Sequence, residues 1–240
     1  MAAFVSADDA YLHLRCCADY GFRRSFASAT LGATLSVSAA MSIEPSDFRI
    51  PVAISARHAH LSQRTINALF GRDYRLRPAK ALSQPGQFAA QETIALVGPA
   101  GRIPHVRVLG PPRPEDQIEI SRTDERVLGL EAPLRLSGDL ARTPGIFIEG
   151  PAGRLHLEAG VVRALRHIHM STVDAVRLGV NDRDIVRVSV TGGGRDLIFD
   201  DVIVRAAPSF RLELHLDSDE GNAAGIGPDT VCRLVPRSSP

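Results

Sequence analysis

The chain has 240 residues, 44% of them hydrophobic, and carries 28 basic against 27 acidic side chains for a formal charge of +1. That is enough for one large domain or two of about 100 residues with a sizeable core, and a charge so close to zero excludes an extended polyanion surface, so no nucleic-acid partner is expected. The three cysteines form no CxxC and no apolar run approaches the roughly 18 residues of a membrane span, which together point to a reduced, cytoplasmic protein with no membrane partner.

Residues 1–45 differ in texture from the rest. "DDAYLHLRCCADYGFRRSF" carries only a weak helical stripe, and the small-residue run after it lacks the preceding positive charge of a secretory signal. This leader is expected to be disordered or to serve as a peptide that docks on a partner. Met41, just before the first clear strand, is a second candidate start.

From Phe48 onward β signals dominate. "FRIPVAIS", "ETIALVG", "GRIPHVRVLG", "GIFIEG", "GRLHLEAG", "DIVRVSV", "RDLIFDDVIVRA" and "FRLELHLD" are short, alternating or β-branched, and punctuated by Gly and Pro. "GPAGR" occurs twice, at 98–102 and 150–154, each time between two such runs, and reads as a hairpin turn; "GGG" at 192–194 reads as a third. Two helices are expected, "QRTINALF" and "TVDAVRL". Each begins after a serine placed as an N-cap, Ser62 or Ser171, and each stops at a glycine, Gly71 or Gly179.

Directly ahead of those helices stand two copies of one hexapeptide, "RHAHLS" at 57–62 and "RHIHMS" at 166–171, which hold four of the eight histidines. Residues two apart on a strand share a face, so His58 pairs with His60 and His167 with His169, while Ala59 and Ile168 turn toward the core. Paired imidazoles on one strand face suit zinc or a similar metal, and four buried imidazoles without partners would be costly. Each pair needs a further ligand. His215, in "LELHLDSDE", and the carboxylate Glu119, in "DQIEISRTDE", are candidates for completing them. His13, His105 and His156 are expected at the surface.

In "VLGPPRPED" the prolines around Arg113 stiffen the backbone. A rigidly held guanidinium offers a planar fork to phosphate or carboxylate. The uncharged loop "ALSQPGQFAAQET" could lie against a ligand. There is no GxSxG elbow, no Walker loop and no strand-linked GxGxxG.

Taken together, "IPVAISARHAHLSQ", "LSQPGQFAAQETIALVGPAGRI", "VRVLGPPRPEDQIEISRTD", "SGDLARTPGI", "RHIHMS" and "NAAGIG" resemble, in order, the phosphate propanoyltransferase (phosphotransacylase) family of propanediol-utilising and related bacterial microcompartments. The resemblance implies a mainly β fold of two β-barrels related by an internal repeat, each capped by a short helix. Residues 57–164 would form an inserted first barrel, and 46–56 plus 165–240 a discontinuous second one. It also implies reversible transfer of a short acyl group, propionyl or acetyl, between coenzyme A and phosphate, with acyl-CoA and phosphate as partners. Two divalent metal ions, typically zinc, would be held by His58, His60 and Glu119 and by His167, His169 and His215. Arg113 would be the catalytic, phosphate-binding arginine, and the leader would direct the enzyme to microcompartment shell proteins. Two other readings of the same residues are a dinuclear metallohydrolase of a thioester or phosphoester, and a non-catalytic β module stabilised by metal.

Overall fold

The computed structural model describes residues 48–235, so the expected leader at 1–45 lies outside the described residues. Among the described residues the fold is mainly β, with fifteen strands and four short helices. No helix among them is long and apolar enough to cross a membrane.

The strands form two sheets. The first contains β2 (His58–His60), β3 (Pro78–Ala81), β4 (Phe88–Val97), β5 (Arg102–Gly110), β6 (Gln117–Glu119), β7 (Leu134–Arg135), β8 (Ile146–Gly150), β9 (Gly153–Leu157) and β10 (Val161–Ala164), in the order β7-β10-β6-β2-β5-β4-β8-β9 with β3 paired to β4. The second contains β1 (Val52–Ser55), β11 (His167–Met170), β12 (Ile185–Thr191), β13 (Leu197–Ala206), β14 (Glu213–Asp217) and β15 (Val231–Val235), in the order β1-β14-β11-β13-β12-β15. Both curl as half-barrels. In the second sheet a single antiparallel bridge from Ile50 to Cys232 brings the β1 and β15 ends together.

Each sheet has its own apolar core, and the residue between each histidine pair anchors it. Ala59 packs with Leu61, Ile66, Leu96 and Ile118 in one core; Ile168 packs with Met170, Val188, Val204 and Leu214 in the other. Strand alternation therefore turns all four histidines to the opposite face, away from both cores.

The two helices expected from sequence are present as α1 (Gln63–Phe70) and α3 (Thr172–Leu178), capped by Ser62 and Ser171. Two more follow β6 and β14, and the expectation of only two helical stretches is corrected here. These are α2 (Arg122–Leu128) and α4 (Ser218–Ala224). Each starts from a closed capping box, Ser121 with Asp124 and Asp217 with Glu220, and each ends at a left-handed glycine, Gly129 or Gly225. The boxed acid does a second job. Asp124 binds Arg57 at 2.8 Å and Glu220 binds Arg166 at 2.6 Å, so the arginine that opens each hexapeptide ties its strand to the helix after the neighbouring strand.

The repeated "GPAGR" turns are hairpins, β4 to β5 and β8 to β9, and each also receives the end of a helix. Ala100 donates its N–H to the carbonyl of Leu128 at 3.0 Å, and Ala152 donates to Leu69 at 2.9 Å. The helix ends come so close that a Cβ on Gly98 would lie 2.2 Å from the Leu128 oxygen, and one on Gly150 would lie 2.6 Å from that of Leu69. Glycine is required there by this close approach, and the turn satisfies carbonyls that a helix end leaves open.

Candidate metal centre

Pairing register brings a third ligand to each histidine pair. In the first sheet β2 runs antiparallel to β6, with His58 opposite Glu119 and His60 opposite Gln117. In the second, β11 runs antiparallel to β14, with His167 opposite His215 and His169 opposite Glu213. The same geometry thus arises twice: an HxH strand and, opposite its first histidine, the third group. His58, His60 and Glu119 form one group of ligand atoms within 4.8 Å of one another, and His167, His169 and His215 form the other. His105 and His156 are exposed, as expected, and His156 pairs with Glu158 at 3.0 Å.

The ring orientations are held by backbone. His58 Nδ1 lies 2.8 Å from the carbonyl of Ala56, and His167 Nδ1 lies 2.8 Å from that of Leu165. A carbonyl can only accept, so each Nδ1 carries a hydrogen and Nε2 is the ring nitrogen left to meet a cation. His58 Nε2 lies 3.4 Å from Glu119 Oε2, and His169 Nδ1 lies 3.2 Å from His215 Nε2.

Electrostatics prepare both groups for a cation. Burial, then the charge of His215, pushes His167 down to about 4, and burial with His215 and His167 pushes His169 down to about 2. Burial and the charge of His58 hold His60 well below its ordinary value. Three imidazoles therefore stand neutral at pH 7 with lone pairs available. His58 goes the other way: burial lowers it, but the charge and hydrogen bond of Glu119, with the Ala56 carbonyl, raise it overall. Burial alone would raise Glu119, yet His58 drives it far below the usual carboxylate range. Two imidazoles with a carboxylate, and three imidazoles, are donor sets that fit zinc and similar divalent ions.

Stability should follow pH accordingly. In the unfolded chain these histidines take up a proton near 6.5, whereas folded His60, His167 and His169 stay neutral well below that, so the unfolded state binds more protons as pH falls. Each therefore lowers stability as pH falls below 6.5, down to about pH 4 for His167. His58 opposes this, since its raised pKa contributes stability that is complete below 6.5 and lost as pH rises. With three groups against one, chelator-treated protein is expected to melt at a lower temperature at pH 5 than at pH 7, and added zinc to raise the melting temperature more at pH 7. Thermal melts at both pH values, with and without zinc, measure this.

Both groups open on one cleft of about 290 Å³. Arg113 lines it, its N–H bonded to the Leu61 carbonyl at 3.0 Å and its guanidinium to the Ser137 hydroxyl at 3.0 Å. A second guanidinium that sequence reasoning missed, Arg205, reaches the same cleft from β13 and lies 5.7 Å from the Phe210 ring. Burial lowers the pKa of both arginines, the mark of guanidiniums partly stripped of water. Leu82, Ser83, Gln84 and Gln87 show that the loop within "ALSQPGQFAAQET" forms part of the wall. It is pinned to the second sheet's side, where Gln84 bonds the backbone of Arg211 in both directions at 3.1 Å and Ser83 donates to Glu213.

Residues 51–227 match the phosphate propanoyltransferase family. The chain belongs to that family. A phosphate propanoyltransferase of Thermotoga maritima is 57% identical over 186 residues, covering 78% of this chain and 89% of its relative. Those of Klebsiella pneumoniae and Salmonella typhimurium are 53% and 50% identical, covering 73% and 78% of this chain and 83% and 89% of their own lengths. As a member of the phosphate propanoyltransferase family, the protein is an enzyme, a phosphate acyltransferase. The histidine groups, Glu119 and Arg113 all fall inside the matched segment.

Proposed function

We propose that the protein transfers a short acyl group, propionyl or acetyl, reversibly between coenzyme A and phosphate, with one divalent ion, zinc by preference, held by His58, His60 and Glu119 and a second by His167, His169 and His215. The observation that carries this reading is the convergence of both three-ligand groups and two guanidiniums on one cleft. Bound there, the ions supply Lewis-acid charge for oxygen and a soft partner for sulfur. In the forward direction a phosphate oxygen attacks the thioester carbonyl carbon, the carbon–sulfur bond breaks, and sulfur departs as the thiolate of coenzyme A.

This chain's own residues have three tasks in that reaction. Arg113 and Arg205 hold the phosphate anion in a poorly solvated cleft, turning an encounter between two anionic partners into a positioned attack. Their charge also stabilises the oxyanion that develops at the carbonyl. Leu82, Leu109 and Phe210 provide apolar wall for a short acyl chain and limit the entry of water, which would compete with phosphate. No side-chain nucleophile is required, because phosphate at neutral pH already supplies one.

We further propose that residues 57–164 form one barrel domain, inserted into a second made from 46–56 and 165–240. The pairing of β1 with β14 supports this, since it carries the chain into the second sheet before the first begins. The cleft would then lie at their junction. We place the enzyme in the cytoplasm, within a bacterial microcompartment if residues 1–45 act as a packaging peptide for shell proteins.

The test is release of coenzyme A from propionyl-CoA and acetyl-CoA by purified protein, with and without phosphate, before and after chelation. Release that requires both phosphate and metal is the expected result. Equal release without phosphate would make the protein a thioester hydrolase, and full activity after verified metal removal would overturn the metal dependence.

A further inference from the structure

Gln117 is 1% exposed and lies on β6, opposite His60 and two residues before Glu119 on the same strand face. Its side chain is fully committed. The amide nitrogen donates to Glu119 Oε1 at 2.5 Å and to Ser137 Oγ at 2.9 Å, while its oxygen accepts from the Gly138 N–H at 2.8 Å. Glu119 is therefore held by one oxygen from the protein side, and its other oxygen, Oε2, is the one turned toward His58. Ser137 is shared in turn, because its hydroxyl oxygen also accepts from Arg113 at 3.0 Å. The hydrogen bonds run unbroken from Arg113 through Ser137 and Gln117 to Glu119. In the second sheet the matching register position, opposite His169, is occupied by Glu213, which contacts the third group there, His215, at 3.1 Å. The partner is suited to its ligand in each case: an amide donor beside a carboxylate, a carboxylate beside an imidazole.

We propose that Gln117 is a positioning residue: it occupies one oxygen of Glu119 and reserves the other for the metal, and through Ser137 it holds Arg113 in register with that metal site. This rests on the metal-dependent reading above. A carboxylate free to rotate could turn either oxygen, or both, to the ion and take up a coordination position that a substrate needs. Arg113, without Ser137 fixed beneath it, would lose its alignment toward phosphate. Outer partners of metal ligands of this kind typically carry 10–100-fold of metal affinity or activity.

Gln117→Met preserves side-chain length and volume and removes only the hydrogen bonds. Its zinc affinity is expected to fall about 10–100-fold at one of two sites, measured by competition with a chromophoric chelator. The visible absorption of the cobalt-loaded protein should change for one ion and not the other, and the KM for phosphate should rise. Ser137→Ala, at a half-buried position, is expected to do the same to a smaller degree and serves if the methionine variant does not fold. Wild-type zinc affinities and cobalt spectra in both variants would overturn the inference alone. Wild-type protein that binds no metal would overturn the metal reading itself and this inference with it.

Discussion

Replacing His169 with alanine is expected to lower phosphate-dependent release of coenzyme A by about 10²–10³-fold or more, and to reduce bound metal from two ions to one, while the chain stays folded. The outer partners of a metal ligand are typically worth 10–100-fold, and the ligand itself is worth at least as much. His169 is placed to be such a ligand: it is 7% exposed, lies 3.2 Å from His215, and is held neutral by burial and by its two histidine neighbours. The fold should survive because the side chain faces the cleft. The core on the other side of β11 is filled by Ile168 and Met170, which the substitution leaves untouched. Elemental analysis, circular dichroism and the coenzyme A release assay together decide the matter. His156→Ala, at an exposed histidine remote from both groups, is the control and should leave activity unchanged. Two tightly bound ions in folded His169→Ala protein would remove His169 from the ligand set.

Arg113→Lys is expected to raise the KM for phosphate and to lower kcat/KM by about 10²-fold, even though the charge is conserved. Removing one preorganised donor to developing charge costs about 10²–10³-fold in characterised enzymes. Lysine supplies a point charge without the planar fork. Arg113 is fixed at its backbone, which bonds to Leu61, and at its guanidinium, which bonds to Ser137, so its direction would be part of the proposed anion-binding role. Burial lowers its pKa, which marks a group with little water to share the anion's charge. Phosphate titrations of Arg113→Lys and Arg205→Lys, run side by side, would separate the two guanidiniums. Unchanged kinetics at 113 with a raised KM at 205 would transfer the anion-binding role to Arg205.

How far these residues could be recognised in advance depended on the distance over which their signal acts. The HxH pairs, their serine caps and the helices behind them are written in contiguous residues, because alternation on a strand and capping of a helix are local matters of two to four positions. Ala59 and Ile168 could be assigned to the core for the same reason. The helices α2 and α4 had equally local signs, Ser121 three residues before Asp124 and Asp217 three before Glu220, each followed by a stop at glycine. They were obscured because both lie next to stretches read for other features, the proline-rich loop and a strand bearing His215. Residue pattern left Glu119 and His215 as candidates only; the family resemblance alone assigned each to a histidine pair.

Other relations could be settled only by tertiary structure. That His58 stands opposite Glu119, and His167 opposite His215, is a matter of strand register between segments tens of residues apart, and no local spacing encodes it. Arg205 looked like one arginine among many until β13 paired with β11 and carried it into the cleft. The "GPAGR" turns read correctly as hairpins, but nothing in five residues says that a helix end will sit 2.2 Å from where a side chain on Gly98 would be. Gln117 carried no signal at all, since an amide becomes informative only once its partners are known. Local sequence thus specifies which groups are available and which way they face, because backbone sterics and capping act over a few residues. Which of those groups meet is decided by long-range strand pairing and core packing, whose energies belong to the folded whole.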